Sequence, residues 1–527
     1  MLHALCLGLK NQVSWTQSNK ELYMSGLVVG YGNPDQMKIK EMFQKMSHRG
    51  PYISGMWNSN SVMMVQNYLR ADCPMAIPDK ANVPVSHGSL RICYDGQMGN
   101  LEQIAEPIKL PPGPFGEERL LLNLYGRDGS NMFKHLDDAI FAFVISDGNQ
   151  LFAARDLLGI KTLFYGREDQ TLYLSTELKS LVSVTDDIHE FPPGHYMDSD
   201  GNLIRFADLP KEPSEVLHTN LEQMEEDIRK IIKRSLRNRV DFSVPTAGLL
   251  SGGMDSSVIN YLANELYREK FGNDARLKTF AVGVGESEDI QSARLMAEHI
   301  QSDHCELVVD LDQILVVLPE VIYYLESFDP SLVRGSVSNY LISKYAREQG
   351  IDLLLSGEGG DEIFCGYIYL KDFPPEELFG RQMECVGFLH NNASLRLDRM
   401  NHCNSVRVVA PLISGELFRY TLAIPAECKQ KPVANGKVEK WIFRKAFESV
   451  LPKAITQRVK QEFSQGSGSA ALLPGHFENV IGDDELAEAQ AKHPMVRSKE
   501  ELYYFRIFTQ HFGDGKAVET VGQWPKL

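Results

Sequence analysis

The 527-residue sequence lacks the features that mark several classes of protein. Its eight cysteines are scattered without a Cys-x-x-Cys pair or paired Cys and His spacing, so we expect reduced thiols and no zinc site. No apolar run approaches the roughly 18 residues of a membrane span. The mildly apolar start is interrupted at Lys10, and no cleavage site follows, which argues against a secretory signal. We expect a cytoplasmic protein that does not associate with membranes.

Positive charge is also scarce, with 54 Lys and Arg against 70 Asp and Glu and a net charge of -16. Nucleic-acid surfaces need clustered basic side chains, so nucleic acid is not an expected partner and small-molecule substrates are favoured. The glycine-rich turn at residues 251–257 has no Gly-Lys-Ser or Gly-Lys-Thr, which excludes the Walker phosphate loop.

That turn reads Ser-Gly-Gly-Met-Asp-Ser-Ser and stands between an apolar run and a helix-like stretch. Gly252 and Gly253 let the backbone turn sharply and approach an anion, while the next helix directs N–H groups and positive dipole toward it. Asp255 can hold Mg²⁺. Hydroxyl donors are supplied by Ser251, Ser256 and Ser257. The turn therefore predicts a pyrophosphate site, with an ordinary strand-to-helix turn as the alternative.

The sequence pattern changes along the chain and predicts two domains after an extension over residues 1–23. Residues 24–207 carry short, turn-bounded apolar stretches, which indicate a largely β domain. A polar linker over 208–220 contains Pro210 and Pro213. From residue 221 to 527, helices alternate with buried strands, and this order predicts an α/β domain with a doubly wound parallel sheet. Residues 221–239 are helix-like, and residues 246–250, 278–284 and 351–355 are strand-like.

Ligands in such a sheet lie at the carboxyl ends of the strands, where three loops are expected. These are residues 251–257, 283–286 and 356–362. The third loop is glycine-rich and carries Glu358, Asp361 and Glu362, three carboxylates better suited to a polar site than to a core. A solvated turn is the alternative for this loop taken alone.

Four segments resemble motifs of the asparagine synthetase family in its bacterial two-domain form. They are similar to its pyrophosphate loop, nucleotide-contacting strand, catalytic loop and Lys-bearing segment, at residues 251–257, 280–283, 356–367 and 458–464 respectively. In the N-terminal half, residues 48–51, 141–143, 155–159 and 191–194 resemble its glutamine amidotransferase domain. The resemblance implies an N-terminal Ntn-hydrolase-like αββα sandwich, a C-terminal PP-loop domain of the adenine nucleotide α-hydrolase type with a helical extension, and a homodimer.

The resemblance also implies an AMP-forming amide ligase that uses ATP and Mg²⁺. Asp255 and Asp361 would hold the metal, Lys460 would stabilise charge on the phosphates, and Glu358 would accept a proton from the attacking nitrogen. Arg334 and Ser356 would contact the carboxylate substrate. The ATP and pyrophosphate contacts would come from Leu249, Ser251, Gly252, Gly253, Asp255, Ser256, Ser257, Val282, Gly283 and Gly357.

The glutaminase positions depart from the family pattern. The family nucleophile is an N-terminal Cys whose own amino group serves as base, and Ser25 stands in its place. Tyr68 replaces the glutamine-binding Arg, and Glu118 replaces the Asp that takes the substrate's amino group. Asp95 replaces an oxyanion-binding Asn, and an anion in place of this hydrogen-bond donor reduces transition-state stabilisation by on the order of 3 kcal/mol or more. We expect no glutaminase activity; translation from Met24, which would leave Ser25 as the N-terminal nucleophile, is the alternative.

Three functions remain open from the sequence. The first is a ligase that joins aspartate or a related amino acid to ammonia or an amine. The second is intramolecular lactam formation, as in the related β-lactam synthetases. Glu358 argues against it, because those enzymes carry Tyr at this position. Ala393 favours it, because an acidic residue is expected there in an enzyme that uses aspartate. The third is a noncatalytic, nucleotide-binding paralogue, and the presence of Glu358 and Lys460 argues against it.

Overall fold

The computed structural model describes residues 26–49, 53–72, 83–111, 113–434, 436–461 and 463–524. Ser25 and the predicted extension over residues 1–23 lie outside these ranges. Within them, no helix combines the length and the apolar character needed to cross a membrane.

Two antiparallel sheets of six strands each form the N-terminal half, with strand orders β10-β8-β9-β1-β3-β2 and β12-β11-β7-β6-β5-β4. In chain order the strands are β1 (Gly26–Tyr31), β2 (Ile53–Asn58), β3 (Val62–Tyr68), β4 (Val85–His87), β5 (Leu90–Met98), β6 (Ala139–Ser146), β7 (Leu151–Arg155), β8 (Phe164–Glu168), β9 (Thr171–Ser175), β10 (Asp187–Glu190), β11 (His195–Met197) and β12 (Leu203–Arg205). The helices are α1 (Gln36–Lys45), α2 (Leu101–Ala105), α3 (Gly116–Asp128) and α4 (Leu178–Leu181).

The two sheets pack face to face with helices on both outer faces. Strand alternation explains this arrangement, because Leu27 and Val29 of β1 enter a core shared with the second sheet. Between them, Val28 points to the opposite face and packs in a cluster with Ile39 of α1. On the far side, α3 packs against the second sheet. The predicted αββα sandwich is confirmed.

A five-stranded parallel sheet in the order β15-β14-β13-β16-β17 forms the centre of the C-terminal half. Its strands are β13 (Thr246–Leu249), β14 (Lys278–Val284), β15 (Asp303–Val309), β16 (Leu353–Leu355) and β17 (Arg407–Val409), and a hairpin follows with β18 (Gln430–Val433) and β19 (Gly436–Glu439). Chain order reverses between the neighbouring strands β13 and β16. The loops after these two strands therefore meet at a topological switch point.

Helices cover both faces of this sheet, so the predicted doubly wound α/β fold is confirmed. They are α5 (Leu221–Arg239), α6 (Met254–Phe271), α7 (Glu288–Ile300), α8 (Leu311–Leu325), α9 (Pro330–Glu348), α10 (Gly360–Phe364), α11 (Pro375–Gly387), α12 (Ala393–His402), α13 (Gly415–Leu422), α14 (Ala426–Lys429), α15 (Trp441–Phe447), α16 (Lys453–Thr456), α17 (Phe463–Gly466), α18 (Ser469–Val480), α19 (Asp483–Lys492), α20 (Lys499–Phe512) and α21 (Lys516–Glu519). Residues 206–220, between the halves, form no helix or strand.

Candidate active site

The 251–257 turn joins β13 to α6 as the sequence predicts. Gly252 has a φ of +70°, and a Cβ there would lie 2.4 Å from the backbone carbonyl carbon of Ser292, so the turn requires glycine. Helix α6 begins at Met254, and its N-cap Gly253 has no side chain to cap the first turn. The N–H groups at this helix end are therefore suited to an anion.

The 356–362 loop after β16 packs directly against this turn. A Cβ on Gly357 would lie 2.6 Å from the backbone nitrogen of Ser256, and one on Gly360 would lie 2.4 Å from Oδ1 of Asp255. Two glycines thus allow the second loop to approach the first. The two loops and the segment around Lys460 enclose a cavity of about 420 Å³.

Most of the predicted synthetase residues line this cavity. They are Leu249, Ser251, Gly253, Asp255, Ser256, Val282, Arg334, Ser356, Gly357, Glu358, Asp361 and Lys460. Gly252, Ser257 and Gly283 do not line it. Ser257 is fully buried, and its hydroxyl oxygen has no hydrogen-bond partner among the described residues. Gly252 permits close packing against the backbone of Ser292, and Gly283 permits close packing against the Ser287 side chain.

Two lysines and two carboxylates form the polar centre of the cavity. Lys440, which is almost fully buried, places Nζ 2.5 Å from Oδ2 of Asp255 and 2.7 Å from Oδ1 of Asp361. Lys460 places Nζ 2.7 Å from Oδ2 of Asp361. Burial opposes ionisation of Asp361, but the two lysines outweigh it and hold the pKa of this carboxyl below its ordinary value. Burial dominates at Asp255, whose pKa is raised.

This centre has donor chemistry that suits a magnesium ion. Oδ1 of Asp255 is buried and accepts no hydrogen bond from the described residues. No group of three or more His, Cys, Asp or Glu side chains able to hold a metal occurs in the described part of the chain. Mg²⁺ in nucleotide enzymes is commonly held by one or two carboxylates together with phosphate and water oxygens. Asp255 and Asp361 fit that pattern.

Two arginines that line the cavity, Arg334 and Arg396, are each paired with a carboxylate. Arg396 donates to Oε1 of Glu358, and both side chains are largely buried. Arg334 binds the carboxylate of Glu500 through Nε and Nη2, with Nε 2.9 Å from Oε1. The Tyr504 hydroxyl donates to the same carboxylate over 2.7 Å. Both the predicted base and the predicted substrate-binding arginine are therefore held in fixed positions by ion pairs.

A third carboxyl of the loop is buried behind the cavity. Glu362 lies with Asp361 in the first turn of the short helix α10, and the Tyr367 hydroxyl donates to its Oε1 over 2.7 Å. Burial and the neighbouring carboxylates Asp361 and Glu358 raise the pKa of Glu362 to about 7. Below neutral pH this carboxyl is therefore mostly protonated and neutral.

Sequence reasoning missed Lys440 and Arg396 as site residues. Lys440 follows β19 with a φ of +53°, a conformation that is strained for a side-chain-bearing residue. A Cβ on Gly366 would lie 1.9 Å from Cε of Lys440, so glycine at 366 makes room for the lysine. The available signal in the sequence was the adjacent charged pair Glu439 and Lys440 directly before the largely apolar stretch 441–447.

The predicted glutaminase positions lie in the N-terminal half. Tyr68 ends β3 and packs against Phe115, with ring centroids 5.2 Å apart. Glu118 is buried in α3, and burial raises its pKa to about 7. Asp95, on β5, places Oδ1 2.7 Å from Nζ of Lys161 and Oδ2 3.2 Å from Nη2 of Arg49. A buried, doubly paired carboxylate thus stands at the position predicted to replace an oxyanion donor.

Comparison with known proteins identifies both halves. The asparagine synthase family model matches residues 227–384 and 381–523, together more than half of the chain, and the glutamine amidotransferase domain model matches residues 24–192.

Among similar proteins, the probable glutamine-hydrolysing asparagine synthetase of Schizosaccharomyces pombe is 31% identical, with 92% of each chain covered. Asparagine synthetase 1 of Saccharomyces cerevisiae is 29% identical over 95% of this chain and 96% of its own, and the Gallus gallus enzyme is 29% identical over 93% and 94%. This chain belongs to the asparagine synthetase family, and it is an ATP-dependent, amide-forming carbon–nitrogen ligase.

Proposed function

We propose that this ligase activates a small carboxylic acid, aspartate or a related amino acid, as an acyl-adenylate and transfers it to ammonia or an amine. The observation that carries this proposal is the convergence of Asp255, Asp361, Lys460 and Glu358 on one cavity beneath an uncapped helix start.

In the first half-reaction, a carboxylate oxygen attacks the α-phosphorus of ATP and the bond to the bridging oxygen breaks, releasing pyrophosphate. The N–H groups at the start of α6 bind the phosphate oxygens. Lys460 stabilises the charge that develops on the leaving pyrophosphate, and its pKa, raised by Asp361 and Asp255 against the effect of burial, keeps it cationic. Asp255 and Asp361 would hold Mg²⁺, which supplies further neutralisation of phosphate charge when bound.

In the second half-reaction, nitrogen attacks the activated carbonyl carbon and AMP leaves. The nitrogen must lose a proton, and Glu358 is the acceptor we assign. Its ion pair with Arg396 needs the carboxylate form, which is the form able to accept a proton.

We further propose that the N-terminal half does not hydrolyse glutamine. An anion at residue 95 would repel the negative charge of a tetrahedral intermediate, and the carboxylate that pairs with Arg49 and Lys161 has no N–H or O–H group to donate to it. The nitrogen would then come from free ammonia or an amine.

The test is pyrophosphate release with Mg·ATP, a panel of amino acids and ammonium or glutamine as nitrogen source. We expect ammonium to support amide formation, glutamine not to replace it, and Lys460→Ala to abolish pyrophosphate release. Release that survives Lys460→Ala would contradict the assigned site. Ammonia produced from glutamine at a rate matching synthesis would contradict the loss of glutaminase activity.

Intramolecular lactam formation is the second candidate, supported by the paired Asp95 and by Ala393 in the cavity wall. Such an enzyme would release pyrophosphate and form product without any dependence on ammonium. The same assay therefore separates the two candidates.

A further inference from the structure

A buried cluster of ionic side chains joins the two halves at the site predicted for the lost glutaminase. The N-terminal half contributes Arg49, Asp95, Lys161, Glu177 and Lys179, and the C-terminal half contributes Glu326, Asp398 and Arg399. We call these eight side chains the buried ion cluster. All but Lys161 are among the buried residues, and the Lys161 side chain is only 12% exposed.

Several contacts of the cluster cross between the halves. Nη1 of Arg49 lies 2.9 Å from Oδ2 of Asp398, and Nζ of Lys161 lies 3.2 Å from Oδ1 of the same carboxylate. Arg399, on the same helix as Asp398, reaches back to Oε1 of Glu177 over 2.8 Å. Asp95 shares both Arg49 and Lys161 with Asp398.

The cluster is balanced in charge only when both halves and Asp95 are counted. The N-terminal half contributes three cations and two anions, and the C-terminal half contributes one cation and two anions. The adjacent His48 and His402 have pKa values lowered by burial, so they add no charge at neutral pH. An amide at residue 95 would leave one buried positive charge without a counter-ion, which is costly in a low dielectric.

Helix α12 connects this cluster to the synthetase cavity. Asp398 and Arg399 of α12 face the N-terminal half, whereas Arg396 reaches Glu358. Ala393 and Leu397 of the same helix line the cavity. The helix has only ten residues, so a change in how it packs against the N-terminal half would also move Arg396.

From this geometry we infer that Asp95, Lys161 and Asp398 are positioning residues for the synthetase reaction. Through α12 they hold Arg396 against Glu358, and the N-terminal half thereby serves amide formation without handling glutamine. The inference rests on the proposed function only for its kinetic consequence, since the seating of α12 can be measured separately.

The experiment compares Asp95→Asn, Lys161→Met and the double variant in the full chain. Each single variant unbalances the cluster by one charge, and the double variant restores balance while keeping the Arg49–Asp398 pair. Glu168→Gln is the matched control, because its partner Lys38 lies in the N-terminal half and this pair is about one-third exposed.

Two readouts are taken, and the first is hydrogen–deuterium exchange of residues 393–402. We expect faster exchange in both single variants and exchange close to wild type in the double variant and in Glu168→Gln. Unchanged exchange in both single variants would overturn the inference, and a double variant as fast as the singles would overturn its basis in charge balance.

The second readout is pyrophosphate release with Mg·ATP, ammonium and the amino-acid panel. For the single variants we expect kcat to fall about tenfold or more while KM for ATP changes by less than about twofold, with recovery in the double variant. Loss confined to KM for ATP would overturn the inference. If the wild-type chain releases no Lys460-dependent pyrophosphate, the proposed function fails, while exchange over 393–402 still decides the role of the cluster.

Discussion

Replacing Lys440 by methionine tests the polar centre of the cavity most directly. The variant keeps an unbranched stem but removes the only charge within the described ranges that contacts both Asp255 and Asp361. Removing one partner of a buried ion pair costs about 3–5 kcal/mol, because the remaining charge is left uncompensated. Lys460 still pairs with Asp361, so we expect the lower end of this range.

A loss of about 3 kcal/mol corresponds to a fall in Tm of roughly 6 °C at about 2 °C per kcal/mol. Magnesium should recover part of this loss, since the two carboxylates are then open to a divalent cation. Binding at a free concentration 100-fold above Kd would add about 2.7 kcal/mol. In the wild-type protein Lys440 competes for the same oxygens, so magnesium should raise its Tm by less.

The assay is thermal unfolding of both proteins with and without Mg²⁺, in the absence of nucleotide. Lys445→Met is the matched control, because Lys445 pairs with Glu448 at the surface, where ion pairs contribute about 0–1 kcal/mol. A fall in Tm no greater than that of the control would refute the assigned charge balance. Equal stabilisation of wild type and variant by magnesium would refute the assigned metal ligands.

Three further predictions concern the catalytic loop. Gly366→Ala places a Cβ against Lys440, so pyrophosphate release should fall about tenfold or more in a steady-state assay, and unchanged release would contradict the packing. Glu358→Gln should slow amide formation far more than pyrophosphate release, measured as the ratio of the two products; an unchanged ratio would count against Glu358 as proton acceptor. Glu362 has a pKa raised to about 7 in the folded state, so its neutral form favours folding below its unfolded pKa of 4.5, and this contribution is lost as pH rises to 7. Glu362→Gln should therefore gain Tm relative to wild type between pH 5 and pH 8, and a constant difference would contradict the raised pKa.

Much of the fold could be predicted because its elements have strong local patterns. The helix over 221–239 and the strand over 278–284 have the bounds expected from the apolar pattern. Strand 303–309 was missed because it is an edge strand with mostly half-buried side chains and no continuous apolar run. Strand 407–409 was missed because three residues are too few to show a period.

The site could be predicted where chemistry lies within one loop and not where it depends on distant residues. The glycines and carboxylates of 251–257 and 356–362 indicate an anion site by their own composition. Lys440 meets Asp255 across 185 residues, and Arg49 meets Asp398 across 349. No spacing rule connects such pairs. The β18–β19 hairpin brings Lys440 to Asp255, and the interface between the two halves brings Arg49 to Asp398.

The charge balance of the buried ion cluster also constrains how this sequence can change. A return from Asp95 to an amide in one step would pass through a protein with an unpaired buried cation, and loss of Lys161 first would pass through one with an excess anion. We therefore expect each substitution to be harmful alone and tolerated only with the other, which is reciprocal sign epistasis. Under the proposed loss of glutaminase activity, the packing of the amidotransferase-type half against α12 is itself a reason for the chain to keep that half.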